Sequence, residues 1–168
     1  MVLNKSELIA SLQKEVRILV HLAGKLDRSM VDYRPTSKQR SSLELLRYMS
    51  IMGPQLAQAA KAGSFDGAAW GAAQKEAEGR DFDQTVAAIA AQSDLYAKLL
   101  GDMSDADFRS EMTGFDGNKV SKGSFIVNLV LSGHAAYRTQ LFGYLKSCGR
   151  EELSTYNLWQ GVDAPATV

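Results

Sequence analysis

Residues 133–149 read GHAAYRTQLFGYLKSCG, an apolar segment that carries polar side chains near its centre and closes on glycine. The three- and four-residue spacing of its apolar side chains extends upstream and predicts one long helix over 124–148. We expect His134 and Arg138 to lie beside the face that points to the centre of the protein, not on it. That central face carries Ile126, Val130, Gly133, Tyr137, Leu141 and Tyr144.

The same periodicity predicts three further long helices, over 6–30, 42–61 and 81–101. The second contains Gly53 and Pro54, where we expect a kink rather than a break because the apolar period continues beyond the proline. The inner face of the third is assigned to Val86, Ile89 or Ala90, Leu95 or Tyr96, and Leu99.

Shorter pieces connect these helices. The sequence predicts a short helix within 63–79, a helical turn after Ser104, a small hairpin or a loop within 113–123, and an extended tail over 151–168. No long strand pattern occurs. The predicted fold class is therefore all-α, a single four-helix bundle domain over residues 1–168 with short extra helices.

The composition is that of an ordinary folded protein, with 168 residues of which 45% are apolar and 23% charged. Nineteen basic and nineteen acidic residues cancel, so no positive excess favours nucleic acid. The single cysteine, Cys148, excludes an internal disulfide and a cysteine-based zinc motif, and its place in an apolar helix indicates a buried filler. With no stretch of ~20 apolar residues and no signal-peptide pattern, we expect a cytoplasmic protein that binds neither nucleic acid nor membrane.

The 133–149 segment resembles the last bundle helix of the DinB-like (YfiT-like) metalloprotein families. There a His-x-x-x-His-Arg-Gly-Gln run precedes an apolar Tyr-Leu stretch and a glycine. The segment QRSSLELL at 39–46 similarly resembles the lead into their second helix. The residues of the last helix that match the family pattern are Arg138, Gln140, Tyr144, Leu145 and Gly149.

The resemblance implies a metal between the helices, held by one histidine of the second helix and two of the fourth. Those three positions are Tyr48, Gly133 and Tyr137 in this chain, so the usual ligands are absent. We therefore expect no cofactor. An unconventional zinc or nickel site around His134, with an oxygen from Glu44, is the alternative, although Glu44 is better explained as a helix cap.

Four residues are candidates for a ligand pocket. Tyr48, His134, Tyr137 and Arg138 are predicted to line a site for a small molecule, with a preference for an anion, since an arginine beside phenols suits a carboxylate or another anion. The competing hypothesis is that the two phenols bond to each other or to His134 and fill the former metal cavity.

The sequence leaves the activity open. The first hypothesis is a DinB-like bundle without the three-histidine site that binds a small molecule or a partner. The second, implied by the resemblance, is a metal-dependent hydrolase or thiol S-transferase that uses the unconventional site around His134. The third is a structural module that pairs as a homodimer, as the resemblance also implies.

Overall fold

The computed structural model describes residues 3–165 and is mostly helical. In chain order, the helices are α1 (Lys5–Ala23), α2 (Ser42–Ala62), α3 (Gly67–Glu78), α4 (Phe82–Ala90), α5 (Gln92–Gly101), α6 (Asp105–Arg109), α7 (Lys122–Phe125), α8 (Ser132–Ser147) and α9 (Thr155–Gln160). A 3-10 turn (Arg28–Met30) follows α1, and a π turn (Ile126–Leu131) joins α7 to α8 without leaving the helical path.

Four helical columns form the bundle. These are α1, α2, the pair α4–α5, and the continuous run from α7 through the π turn to α8. α1 and α2 each pack against both α4–α5 and α8, so they lie diagonally across the bundle from one another. In the described residues no helix is long and apolar enough to cross a membrane. The predicted all-α four-helix bundle is confirmed.

The helix starts follow local sequence rules. Asn4, Ser41 and Asp81 each cap a helix with the side chain and receive a carboxylate or amide in return from the residue three positions on. α2 runs unbroken through Gly53 and Pro54, so the proline does not end it. The capping boxes therefore account for where three of the four columns begin.

The small sheet is a hairpin. For this region the sequence leaves a hairpin and a loop as alternatives. β1 (Glu111–Thr113) and β2 (Lys119–Ser121) pair antiparallel, with Met112 opposite Val120. Gly117 adopts a φ of +81°, which glycine accepts without steric cost, at the turn between them.

Two predicted helix boundaries are wrong. α1 ends at Ala23, because Gly24 caps it and the chain turns extended at Asp27; Leu26 and Met30 remain buried from the following loop and 3-10 turn. The tail is not wholly extended: Ser154 caps α9, which packs on α1 and α8. Residues 166–168 of that predicted tail lie outside the described residues.

The third column differs from its prediction in continuity and in its buried face. It is interrupted at Ala91 between α4 and α5. Of its predicted inward series, Ile89 and Tyr96 are buried, whereas Val86 and Leu99 are half-buried and Ala90 and Leu95 are exposed. The polar side chains of Thr85 and Gln92 are buried because each finds a hydrogen-bond partner inside the bundle. The buried residues of this column are Thr85, Ile89, Gln92, Tyr96 and Leu100.

Candidate functional site: the groove between α2 and α8

α8 is rotated by about one residue relative to the prediction. His134 and Arg138 are buried, with 0% and 3% of their surface exposed, whereas Gly133 and Tyr137 are half-buried. The i→i+5 hydrogen bonds of the π turn place an extra residue in one turn, which rotates everything that follows. The prediction that Gly133 and Tyr137 point to the bundle centre is therefore wrong.

His134 belongs to a polar chain inside the bundle. Its Nε2 lies 2.7 Å from the Tyr96 hydroxyl, which is 3.2 Å from Gln92 Oε1. The Gln92 amide donates to the Met49 carbonyl at 2.9 Å. Because the Gln92 amide nitrogen faces Met49, its oxygen faces the Tyr96 hydroxyl and can only accept. The Tyr96 hydroxyl therefore donates to Gln92 Oε1 and accepts from His134 Nε2–H. The proton of His134 is thus assigned to Nε2, and Nδ1 has no hydrogen-bond partner among the described residues.

Burial controls the titration of this chain. It lowers the pKa of His134 to about 4 and raises the pKa of Tyr96, because each charged form would lose its water. Both groups are therefore neutral at pH 7. These hydrogen-bonded side chains have room only because residue 53 of α2 is glycine. A Cβ at this position would lie 1.8 Å from the Tyr96 hydroxyl.

Arg138 lies on a different side of the bundle from the groove. Its guanidinium pairs with Glu15 of α1, donates to the Leu158 carbonyl of α9, and lies 5.1 Å from the ring centre of Trp159. The Glu15 side chain is 12% exposed, so this is a nearly dry ion pair. Arg138 is occupied in joining α1, α8 and α9, and it does not line the groove described next.

Tyr48, Gly133 and Tyr137 line a single groove between α2 and α8, with a volume of about 530 Å³. The rings of Tyr48 and Tyr137 pack edge to face with their centres 5.0 Å apart. Neither phenol bonds to His134, whose Nε2 is taken by Tyr96. Of the four predicted pocket residues, the structure brings together Tyr48 and Tyr137 and places His134 and Arg138 elsewhere.

Aromatic rings form a continuous series along this groove. Successive ring centres lie 5.0 to 6.1 Å apart, mostly in the edge-to-face arrangement that aromatic pairs prefer. Two members are largely solvent-exposed, with 61% of Phe115 and 40% of Phe65 accessible. We call this series the aromatic wall; in order, it consists of Phe125, Phe115, Phe65, Trp70, Tyr48 and Tyr137.

The Tyr48 end of the aromatic wall is charged. The Arg40 guanidinium stacks over the Tyr48 ring, 4.0 Å from its centre. A second cavity of about 410 Å³ lies here, and Tyr48 and Trp70 line it as well as the groove. Burial and the neighbouring phenol of Tyr137 raise the pKa of Tyr48 to about 12, so its hydroxyl stays protonated at neutral pH.

The residues present do not fit a metal at the family's position. Two phenols and a glycine offer no ready carboxylate, thiolate or imidazole ligand, and the nearby cation of Arg40 opposes a second cation. The described residues contain no group of three histidine, cysteine, aspartate or glutamate side chains arranged to hold an ion. His134 is surrounded by a phenol and an amide. Glu44 caps α2 and pairs with Arg34, and both contacts lower its pKa.

The other candidates have structural partners. His21 lies 3.0 Å from the Asn157 amide and 3.6 Å from Asp163, and neither of these contacts involves His134. Partial burial and the charge of Lys25 lower the pKa of His21. Cys148 is half-buried, which raises the pKa of its thiol. These residues do not extend the groove.

Sequence reasoning missed two parts of this region. Gln92 and Tyr96 carry a readable signal, because Thr85, Ile89, Gln92, Tyr96 and Leu100 follow a regular helical spacing once polar residues are allowed inside. Arg40 and the other four members of the aromatic wall, Phe125, Phe115, Phe65 and Trp70, carry none. Their members come from several helices and loops, so the tertiary fold alone assembles them.

The comparisons with known proteins address the fold. A crystal structure of a DinB-like protein from Bacillus subtilis, YjoA, matches this chain with a TM-score of 0.69 and 17% sequence identity, over 91% of this chain and 96% of that one. No family model matches the sequence. No curated protein matches it either.

The fold that these observations define is a four-helix bundle similar to that of the DinB-like protein YjoA. At 17% identity the likeness to YjoA establishes the shared fold and leaves the chemistry to be argued from the residues in the groove.

Proposed function

We propose that this protein binds a small molecule in the groove between α2 and α8, without the three-histidine metal chemistry implied by the DinB-like resemblance. The observation that carries the proposal is the meeting of Tyr48, Gly133 and Tyr137 at one cleft of about 530 Å³. Cavities of roughly 300–1,000 Å³ are the usual size of small-molecule sites.

The lining supports binding of an apolar body. Aromatic side chains that are half-buried or exposed in the free protein gain from further burial by about 25 cal/mol for each Å² removed from water. Gly133 keeps the cleft open, since a side chain there would enter it beside the end of Met52. The same residues that exclude a conventional metal thus provide an aromatic pocket.

The proposal is tested by a fragment screen read by ligand-observed NMR, with a variant that fills the cleft. Ala136 lines the groove and is exposed, so Ala136→Trp should abolish binding by occupying the site. Gly143→Trp is the control, because it adds the same ring to an open position on α8 away from the groove. Fragments that bind wild type and both variants equally would contradict the proposal.

A homodimer is the second candidate. Phe65 and Phe115 are large, exposed and in contact, with ring centres 5.1 Å apart, and such an apolar rim is unusual on a monomer's surface. Light scattering of wild type and Phe115→Asp tests it. A dimer that the substitution splits supports pairing through this rim, and a wild-type monomer at high concentration rules it out.

A further inference from the structure

We propose that the ligand is a flat aromatic acid, whose ring lies along the aromatic wall and whose carboxylate binds Arg40. This inference rests on the proposed function, because it names the chemical class of the molecule whose ring occupies the groove. The carboxylate would lie in the second cavity, which Arg40 lines and which shares Tyr48 and Trp70 with the groove.

The apolar part of the ligand follows from the shortage of polar partners. Apart from the two phenols and the indole N–H of Trp70, the polar side chains along the groove are Asn128 and Ser132. The Ser132 hydroxyl already donates to the Val127 carbonyl at 2.9 Å. A ligand with many hydroxyl groups would lose its water there without finding partners, which is costly. Sugars and similar polyols are therefore poor candidates.

The flat shape follows from the rings. Trp70 and Tyr48 meet at an interplanar angle of 65°, and Tyr48 and Tyr137 meet at 70°. Rings tilted in this way present alternating faces and edges to the cleft. A planar aromatic ligand can stack on a face and contact an edge at once, whereas a puckered aliphatic ring of equal size cannot.

The acid group follows from Arg40. Its guanidinium is exposed, and no carboxylate among the described residues lies within salt-bridge distance of it. The contact with the Tyr48 ring uses none of the five N–H donors of the guanidinium for a carboxylate, so these donors remain available to bind an acid group in pairs. Two carboxylates line the same cavity as Arg40: Glu44 is already paired with Arg34 at 3.2 Å, and Glu78 accepts a hydrogen bond from the Gln74 amide at 3.3 Å.

The position of Arg40 is set by the fold. Its carbonyl accepts a hydrogen bond from the Tyr144 hydroxyl of α8 at 3.1 Å, and the next residue, Ser41, caps α2. The cation is therefore held over Tyr48, the next-to-last ring of the aromatic wall.

The experiment compares four probes by titration calorimetry at low salt. They are 2-naphthoate, its neutral amide, the cationic 2-naphthylmethylammonium, and decahydro-2-naphthoate, which keeps the charge and loses the flat ring. We expect 2-naphthoate to bind about tenfold tighter than the amide, as a charge-assisted hydrogen bond predicts, and tighter still than the cation. The puckered acid should bind more weakly than 2-naphthoate.

Variants assign the charge preference to its residue. Arg40→Gln should remove the preference for the acid over the amide and leave the amide's affinity unchanged, while Arg17→Gln, at an exposed arginine of α1, should change nothing. If acid and amide bind equally, or if Arg40→Gln keeps the preference for the acid, the aromatic-acid class is overturned. The proposal that the groove binds a small molecule is not affected by either result. If no probe binds although other fragments pass the Ala136→Trp test, the class is again overturned and the proposed function survives.

Discussion

Two neighbouring faces of α8, one residue apart in sequence, have opposite characters. His134 and Arg138 are closed into the bundle with their polar atoms engaged by Tyr96, Glu15 and the Leu158 carbonyl. Gly133 and Tyr137 face an open aromatic groove. The buried face therefore stabilises the fold, and the groove face is free to bind. Substitutions that damage one face should leave the other largely unaffected.

The largest effect is expected at the buried ion pair. Arg138→Met leaves the Glu15 carboxylate nearly dry and uncompensated, which should lower the free energy of unfolding by about 3–5 kcal/mol. Urea denaturation measures this. The double variant Glu15→Gln/Arg138→Met removes both charges and should recover much of the loss. A double variant as unstable as the single one would mean that packing, and not the unpaired charge, is responsible.

Acid should destabilise the protein through His134. In the unfolded chain its pKa is near 6.5, and in the fold it is about 4, so the unfolded state binds a proton first as pH falls. The contribution is complete above pH 6.5, decreases between pH 6.5 and 4, and amounts to roughly 3 kcal/mol in total. The measurement is the free energy of unfolding across this range.

The matched variants isolate the residue. His134→Gln cannot titrate and should lose most of the slope between pH 4 and 6.5. His21→Gln should retain it, because the lesser burial of His21 lowers its pKa in the same direction but with Asp163 opposing the change. An unchanged slope in His134→Gln would refute the assignment.

Glycine-to-alanine substitutions compare the two faces of α8 directly. Gly53 of α2 packs against the buried face, and Gly133 lies on the groove face. Gly53→Ala drives a methyl group against the Tyr96 hydroxyl and His134 Nε2, so we expect a loss of about 1–3 kcal/mol despite alanine's better helix propensity. In Gly133→Ala the methyl meets the flexible end of Met52 at 3.1 Å, and stability should stay within about 0.5 kcal/mol of wild type. Thermal unfolding of the pair suffices, and similar losses in both would contradict the distinction between the faces.

A gain of function, and not a change in stability, is the effect expected from Tyr48→His/Gly133→His/Tyr137→His. All three positions line the groove, so the imidazoles should create zinc or nickel affinity measurable by calorimetry. The double variant that retains Tyr48 is the control and should bind far more weakly. A folded triple variant without metal affinity would show that the three positions do not match the family's ligand set.

The sequence predicted the fold well where local rules suffice. The capping boxes at Ser41 and Asp81 and the apolar periods located the helical columns, although Gly24 ended α1 earlier than expected. It could not predict the phase of α8, because the π turn adds a residue without any glycine or proline to announce it. Two of the four predicted pocket residues, His134 and Arg138, therefore lie in the interior.

By itself, the sequence determined that this chain is a helical bundle, and it predicted that tyrosine and glycine stand where the resemblance places imidazole ligands, since both follow from residue identity and spacing along single helices. The tertiary structure decided which residues meet. Arg138 went to Glu15 and Arg40 to Tyr48, because the partner of a long side chain depends on the rotation and packing of helices that are distant in sequence.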